Sequence, residues 1–486
     1  IPQAAVSVRA VRYKLRKTDG WYRIVPEILQ EQYGLDLPQD LTKRWWLTVE
    51  VPMETPPGVY RGTVELRPSN APACSLDLAV EVYPFELAGT DASMGMWYDD
   101  PKLSGYCTGL AEVQSRQQGF LSSYRTPRTP TRRERTVEQY RLRMIEADLR
   151  CISEHGFNGI TIPPGQPVGL KADGTPEIEF KQLEPYPRLL SKYAINTDFS
   201  GQIDFSAVTG EIEAASSAGG ALESLDEAYK KMLGGTHAWW AQRGIKALVL
   251  TADEPDESSR PQAEQDMRSA LHLLELTREI GSVETTVTTS RDMGGKVSYL
   301  PIVEAEDLVQ VRPWANAGKS VALARKAGKP LLYYEDGFRR YPLGFYLWTR
   351  RADGYWTKYY NRRDFSFNPF WESEADCAVY PSPEGPLATV RFERAAQGIY
   401  DYRYALTLEE WVLRGEASDD PAAAGEVRKA RALLKKIRKR CTQWALDRNG
   451  KRIEVDDRSL NRWREAIVSQ ILALKNAIEN APEEAD

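Results

Sequence analysis

Two adjacent carboxylates, Asp253 and Glu254, close the apolar run Leu248-Val249-Leu250-Thr251-Ala252, and Pro255 follows them. A run of that length reads as a buried strand, and the carboxyl end of a strand is where a β/α barrel keeps its chemistry. A pair of acids there suits cleavage between sugars: one carboxyl hands over a proton while the other stabilises positive charge. The same acids would also suit a helix N-terminus. Asp256, Glu257, Ser258 and Pro261 come next, and acidic groups favour the positive end of a helix dipole. Adjacent residues in a regular strand point to opposite faces. Asp253 and Glu254 can therefore share a pocket only if the strand has broken there, which Pro255 favours.

Other chemistries find less support. Histidines 155, 237 and 272 lie far apart, and Cys74, Cys107, Cys151, Cys377 and Cys441 show neither a paired framework nor metal-ligand spacing. No metal or other cofactor is expected. A net charge of -5 gives no global basic field for nucleic acid. The basic run Arg428 to Arg440 reads as a solvated helix face, because acids are plentiful nearby and no aromatics interleave with it. No stretch approaches the roughly 18 apolar residues of a membrane span. Thirteen Trp and 24 Tyr are many. Most should fill cores, but exposed ones make flat amphipathic platforms for sugars. The expected partner is an oligosaccharide or glycoconjugate.

The elements that must position the acids fall into three blocks. Residues 1–92 read as β. Arg44–Val51 and Tyr60–Leu66 flank the turn signal Thr55-Pro56-Pro57-Gly58, and Leu76–Val82 alternates strictly. A β-sandwich is expected; these strands are few for one, so part of it would lie upstream of Ile1. Residues 93–388 alternate short apolar strands with amphipathic helices, as a (β/α)8 TIM-like barrel should. Strands are expected at Met94–Tyr98, after His155-Gly156, at Ile245–Leu250, Glu284–Ser290, Leu308–Arg312, Pro330–Tyr334 and Gly354–Tyr360. The third strand falls somewhere in 165–215 without a clear signal. Residues 389–486 read as a C-terminal helical region, with apolar residues at three- and four-residue spacing in Val427–Leu446 and Ser459–Ile478.

Four motifs in order resemble glycoside hydrolase family 123, the β-N-acetylgalactosaminidases, and the related uncharacterised catalytic-domain group. Pro56-Pro57-Gly58-Val59-Tyr60-Arg61-Gly62-Thr63-Val64 is similar to the hairpin of that family's sandwich, and Asp253-Glu254-Pro255 to its catalytic pair. Trp348 to Asn361 resembles its last barrel strand. Tyr380-Pro381, Val390-Arg391-Phe392-Glu393 and Gly398-Ile399-Tyr400-Asp401-Tyr402 resemble its barrel-to-helix junction. Thr389 stands where serine is common, Tyr400 where an acid is common, and Glu335-Asp336 adds acids foreign to the pattern. The resemblance implies an extracellular or periplasmic enzyme and substrate-assisted retention, an exception to the two-carboxylate scheme. Asp253 would orient the sugar's 2-acetamido group, and Glu254 would protonate the leaving oxygen.

At the other strand ends, Tyr333 or Tyr334 would bind the acetamide oxygen. Trp97 with Tyr98, Trp314 and Trp356 would offer sugar platforms, and Asn361 a hydroxyl partner. In a second reading Glu335, after strand seven, is a direct nucleophile with Glu254 as acid/base, and no acetamide is required. A third is a non-catalytic carbohydrate-binding protein on the same fold. Arg125, Arg128, Arg132, Arg133 and Arg135 form a basic loop that could approach a sulfated or uronic sugar.

Overall fold

The computed structural model describes residues 1–18, 21–32, 34–98, 100, 137–171, 175–195, 202–204, 210, 212, 224–255, 260–281, 283–289, 300–313, 318–334, 337–361, 377–382, 384–418, 420–441 and 455–479. Five antiparallel strands open the chain: β1 (Val6–Thr18), β2 (Trp21–Glu31), β3 (Trp45–Val49), β4 (Gly58–Leu66) and β5 (Cys74–Val82). They make a three-stranded sheet in the order β2-β1-β3 and a separate β4-β5 hairpin.

The last three strands lie where the sequence puts them, but the long pair β1 and β2 was not anticipated. In β1 the apolar phase changes from Val6, Val8 and Ala10 to Val11, Tyr13 and Leu15. Two residues further on the ladder slips: Arg12 pairs with Ile28 and Tyr13 with Pro26. Glu27 is thus the extra residue of a bulge, a feature that re-aims a side chain. Its buried carboxylate accepts from Arg391 Nη2 at 2.7 Å and from Tyr380 at 3.3 Å. Arg9 of β1 likewise reaches Glu393 at 2.5 Å. These pairs fasten the first sheet to the start of the C-terminal helices.

The centre of the molecule is a closed eight-stranded parallel barrel. Its strands in chain order are β6 (Ser93–Trp97), β7 (Gly159–Ile162), β10 (Gln202–Asp204), β11 (Leu248–Asp253), β12 (Thr285–Thr289), β13 (Leu308–Val311), β14 (Leu331–Tyr334) and β15 (Gly354–Tyr359). Around them run α1 (Val137–Glu154), α2 (Tyr186–Lys192), α3 (Leu225–Ala241), α4 (Arg260–Ile280), α5 (Leu300–Ala305) and α6 (Gly318–Lys326). The third strand, β10, is only three residues long. A two-stranded insertion, β8 (Gln166–Leu170) and β9 (Pro176–Glu179), and α2 precede it, which is why no periodic signal marks it.

Alternation along the strands sorts side chains into two cores. Met94, Met96, Ile160, Ile162, Ile203, Val249, Val287, Val309, Val311, Tyr333 and Tyr355 join the core that also takes in the surrounding helices. Leu248, Leu308, Leu332, Tyr334 and Trp356 make a second, compact cluster, with Trp97 packed on it. Trp356 fits because β6 carries Gly95 opposite it. A Cβ there would sit 2.2 Å from Trp356 Cε2.

Beyond the barrel run α7 (Val390–Glu416), α8 (Pro421–Arg440) and α9 (Asp457–Glu479). Thr389, the departure from serine, still caps α7, its hydroxyl accepting from Phe392 N–H at 3.2 Å. Helix α7 lies against the segment after β14: a Cβ on Gly398 would fall 2.3 Å from the Arg340 carbonyl oxygen. At this junction the fully buried Asp401 accepts from Arg340 Nε at 2.7 Å and Arg464 Nε at 2.6 Å. Among the described residues no helix is long and apolar enough to cross a membrane.

Candidate active site

Strand β11 does break at the acids. Its ladder with β12 is regular to Leu250, shifts register before Ala252, and ends at Asp253. Glu254 then takes φ +45°, a left-handed conformation that few non-glycine residues adopt and that clusters at functional sites. The turn removes the objection that consecutive strand residues face opposite ways.

Thr288, near the end of β12, fixes both acids. Its hydroxyl donates to Asp253 Oδ1 at 2.5 Å and accepts from the Glu254 N–H at 2.9 Å. The same N–H lies 3.1 Å from the Thr288 carbonyl oxygen. One hydroxyl, with one proton to give and lone pairs to receive, thereby ties the Asp253 carboxylate to the Glu254 backbone. Asp253 is exposed and Glu254 half-buried.

Two further strand ends meet Glu254. Tyr334, from β14, donates its phenol to Glu254 Oε1 at 2.6 Å. Arg312, one residue past β13, forms an ion pair with the same oxygen. The guanidinium also lies 5.8 Å from the centre of the Tyr334 ring. Burial, then the neighbouring Glu254 charge, pushes the Tyr334 phenol well above the ordinary tyrosine range, so it stays protonated and remains a donor. Under this group lies a buried polar layer. Gln202 Nε2 donates to Gln310 Oε1 at 3.2 Å, and Thr286 donates to the same oxygen at 3.4 Å. Thr286 and Gln310 each stand two residues before a site residue, Thr288 and Arg312, on the same inward face.

Of the residues expected at the site, Asp253, Glu254 and Tyr334 come together. Trp97 adjoins them: half-buried at the end of β6, its ring lies 5.9 Å from Tyr334 and 5.8 Å, edge-on, from Trp356. Trp356 itself is fully buried and bonds Ser93 through its indole N–H at 2.9 Å. It supports Trp97 from below and has no face open to a sugar.

Tyr98 and Tyr333 do not join the acids; both are buried in the core shared with the surrounding helices. Tyr98 donates to Asp148 of α1 at 3.3 Å, and Tyr333 packs on Tyr346 with ring centres 5.8 Å apart. Asn361 follows β15 on the carboxyl face, half-buried, with no hydrogen-bond partner for Oδ1 among the described residues. Trp314, Glu335 and the arginines between 125 and 135 lie outside the described residues. Among those described, no group of three or more His, Cys, Asp or Glu could hold a metal ion.

Acids, a phenol and an aromatic ring at the carboxyl end of barrel strands are the equipment of a glycosidase. The model of the glycoside hydrolase 123 catalytic domain matches residues 166–408, half of the chain. This chain belongs to glycoside hydrolase family 123. Its barrel is that of a glycoside hydrolase and its substrate a carbohydrate. Among solved structures it is similar to a family 123 glycoside hydrolase from Clostridium perfringens, studied for the details of glycolipid glycan hydrolysis. The two share 13% identity at a TM-score of 0.62, over 99% of this chain and 86% of that one. A family 5 glycoside hydrolase from Prevotella bryantii B14, PbGH5A, matches 66% of this chain and 99% of its own at 11% identity, with a TM-score of 0.36. No curated protein matches the chain by sequence.

Thr288 and Arg312 were missed by the sequence reading. The signal that was present lies in Leu308-Val309-Gln310-Val311-Arg312, where Gln310 and Arg312 are polar at alternate positions. Such a stripe marks the inward face of a barrel near its mouth. Thr285-Thr286-Val287-Thr288-Thr289 is threonine on both faces and singles out none of its residues.

Proposed function

We propose that the enzyme is a retaining glycosidase for β-linked N-acetylhexosamine, N-acetylgalactosamine first, working by substrate assistance. The observation that carries this reading is the pair of consecutive acids turned to one side by the φ +45° residue and held by one threonine hydroxyl. In this mechanism the acetamido oxygen attacks the anomeric carbon as the glycosidic bond breaks. Glu254 gives its proton to the departing oxygen. Asp253, steadied by Thr288, accepts from the acetamide N–H, aims its carbonyl oxygen and stabilises the cationic oxazolinium that forms. Water then attacks the anomeric carbon, passes one proton to Glu254, and the ring opens to restore the acetamide with retained configuration. Trp97 offers the platform for the sugar face. Tyr334, a donor to Glu254 at 2.6 Å, is in this reading the tyrosine that reaches the acetamide oxygen. The two N-terminal sheets fit the sandwich of this family.

Hydrolysis of aryl β-N-acetylgalactosaminide by Glu254→Gln tests the assignment. General acid catalysis contributes roughly 10²–10⁴-fold, and a loss of that size is expected on a poor leaving group. A glutamine variant that keeps most of its activity there would remove Glu254 from the mechanism.

A further inference from the structure

Helix α8 carries eight cations and no acid between Arg428 and Arg440, in a chain of net charge -5. Its apolar residues Val427, Ala430, Leu434 and Ile437 are buried where it packs on α7 and α9, which turns the cations outward. Three of them are matched: Lys429 by Glu426, Arg431 by Glu416 and Arg438 by Glu409. Lys435, Lys436, Lys439 and Arg440 are exposed and have no ion-pair partner among the described residues. Lys435 and Lys439 are one turn apart, as are Lys436 and Arg440, and like charges so spaced repel. The negative end of the helix dipole offsets this in the last turn, at Lys439 and Arg440, but not at Lys435 and Lys436. A face that needed only to be solvated would mix its signs.

The patch continues past the helix. Arg438 lies over the Trp348 ring, 4.4 Å from its centre. Burial raises the Cys441 thiol, just beyond α8, while the nearby Arg350 charge acts the other way. The end of α8 therefore adjoins the turn ahead of β15. There the Arg350 carbonyl oxygen accepts from Arg325 Nη2 at 2.7 Å, and Arg325, Lys326 and Arg351 are exposed. Asp353, the next acid along the chain, accepts from the Leu331 N–H at 2.8 Å. Strands β14 and β15 begin at Leu331 and Gly354, so these cations lie at the amino end of the barrel, away from Asp253 and Glu254.

We propose that α8 and the cations beside it form a second carbohydrate site, a docking surface for an anionic polysaccharide whose repeated sulfates or carboxylates lie along the helix. This site goes beyond the reaction proposed above and does not require the cleaved sugar to be charged. The choice among polyanions follows from what surrounds the charge. Single-stranded nucleic acid is bound by aromatics set among cations, and no aromatic stands between Arg428 and Arg440. A helix that lies on a membrane keeps an apolar face for the lipid, whereas the apolar face of α8 is buried in the bundle. What remains is a row of point charges on a family 123 glycoside hydrolase, whose substrate is a carbohydrate. From Arg428 to Arg440 the helix rises about 18 Å, long enough to meet several charges of a linear chain.

The test is the affinity of the full chain for immobilised heparin, chondroitin sulfate, hyaluronate, which carries carboxylates alone, and neutral dextran. Wild type should bind at least one of the anionic chains and not dextran, more weakly as salt rises. Hyaluronate against the sulfated chains tells carboxylate from sulfate. The triple variant Lys435→Gln, Lys436→Gln, Lys439→Gln should bind about 10- to 100-fold more weakly, the scale of three exposed charge contacts. Lys43→Gln, Arg44→Gln, Arg61→Gln removes as many charges from the N-terminal block and should leave the affinity nearly unchanged. Arginine at 435, 436 and 439 should preserve binding, and all three variants should melt with wild type. Binding is read without turnover, so failure of the acetamido reaction would leave this result standing. No affinity for any anionic chain at low salt, or an equal loss in both glutamine variants, overturns the proposal. Preference for phosphatidylserine vesicles or duplex DNA over every polysaccharide overturns it as well and gives the patch to that partner.

Discussion

Replacing Thr288 by valine removes one oxygen and leaves the buried volume nearly unchanged, which isolates the contact that ties the Asp253 carboxylate to the Glu254 backbone. The lost hydroxyl donates to Asp253 at 2.5 Å and accepts from the Glu254 N–H at 2.9 Å. That N–H still has the Thr288 carbonyl oxygen at 3.1 Å, so no buried donor is orphaned and the turn should survive. The bond to Asp253 ends on a charged group, and such bonds are worth about 1.5–3 kcal/mol. If the bond matters equally throughout the reaction, its loss lowers stability only. If Asp253 must be held while positive charge develops, most of that energy appears in the barrier, as roughly a 10- to 150-fold drop in kcat/KM. The assay is steady-state hydrolysis of the preferred aryl N-acetylgalactosaminide by wild type, Thr288→Val and Thr288→Ser, with melting temperatures alongside. Serine should restore most of the rate, since it keeps the hydroxyl. A thiazoline analogue of the oxazolinium should lose affinity for Thr288→Val in proportion to the rate. Thr288→Val within twofold of wild type in both rate and inhibitor affinity would refute the role given to this threonine.

Other consequences follow from the supporting structure. Burial pushes Asp148 up to about 8, against hydrogen bonds from Tyr360 and Tyr98 that favour its charged form. A carboxyl raised above its unfolded value costs stability increasingly as pH climbs from about 4 to about 8, and the cost is absent below about 4. Asp148→Asn should therefore unfold at higher denaturant than wild type at pH 8, by a few kcal/mol, and show a flatter pH dependence; parallel stability curves for the two proteins would contradict this. Gly398→Ala places a Cβ against the Arg340 carbonyl oxygen and should cost about 1–3 kcal/mol in urea unfolding, as overpacking does. A neutral effect would mean that the helix junction yields. Gly95→Ala should displace the Trp356 ring and with it the bed of Trp97, raising KM more than it lowers kcat; an unchanged KM would take Trp97 out of substrate binding.

Strand type was legible where a run was apolar and bounded by turn signals, as at Leu248–Asp253 or Leu331–Tyr334. It failed where geometry broke the pattern. The apolar phase of β1 changes between Ala10 and Val11, and β2 carries Pro26 beside the bulge at Glu27; both read as evidence against a strand. Strand β10 is too short to have a period at all. Within the site, residue type identified Asp253 and Glu254, whereas the partition of aromatics needed the parity of each strand. Tyr333 and Tyr334 are neighbours of one type, and only the second faces the acids. Trp356 resembles a platform until Gly95 is seen to make room for it inside the barrel. Arg312 and Thr288 are unremarkable one at a time; their meaning comes from the ladder that brings β11, β12, β13 and β14 side by side.

The central claim is that the substrate's own acetamide supplies the nucleophile. Its most direct test is the ratio of kcat/KM for an aryl β-N-acetylgalactosaminide to that for the matching β-galactoside, which differs only in carrying a hydroxyl at C2. Glu335→Gln serves as the control for a protein nucleophile. Cleavage confined to the acetamido sugars and retained in Glu335→Gln is the predicted result. Comparable cleavage of the galactoside, abolished in Glu335→Gln, would contradict it and make Glu335 the nucleophile.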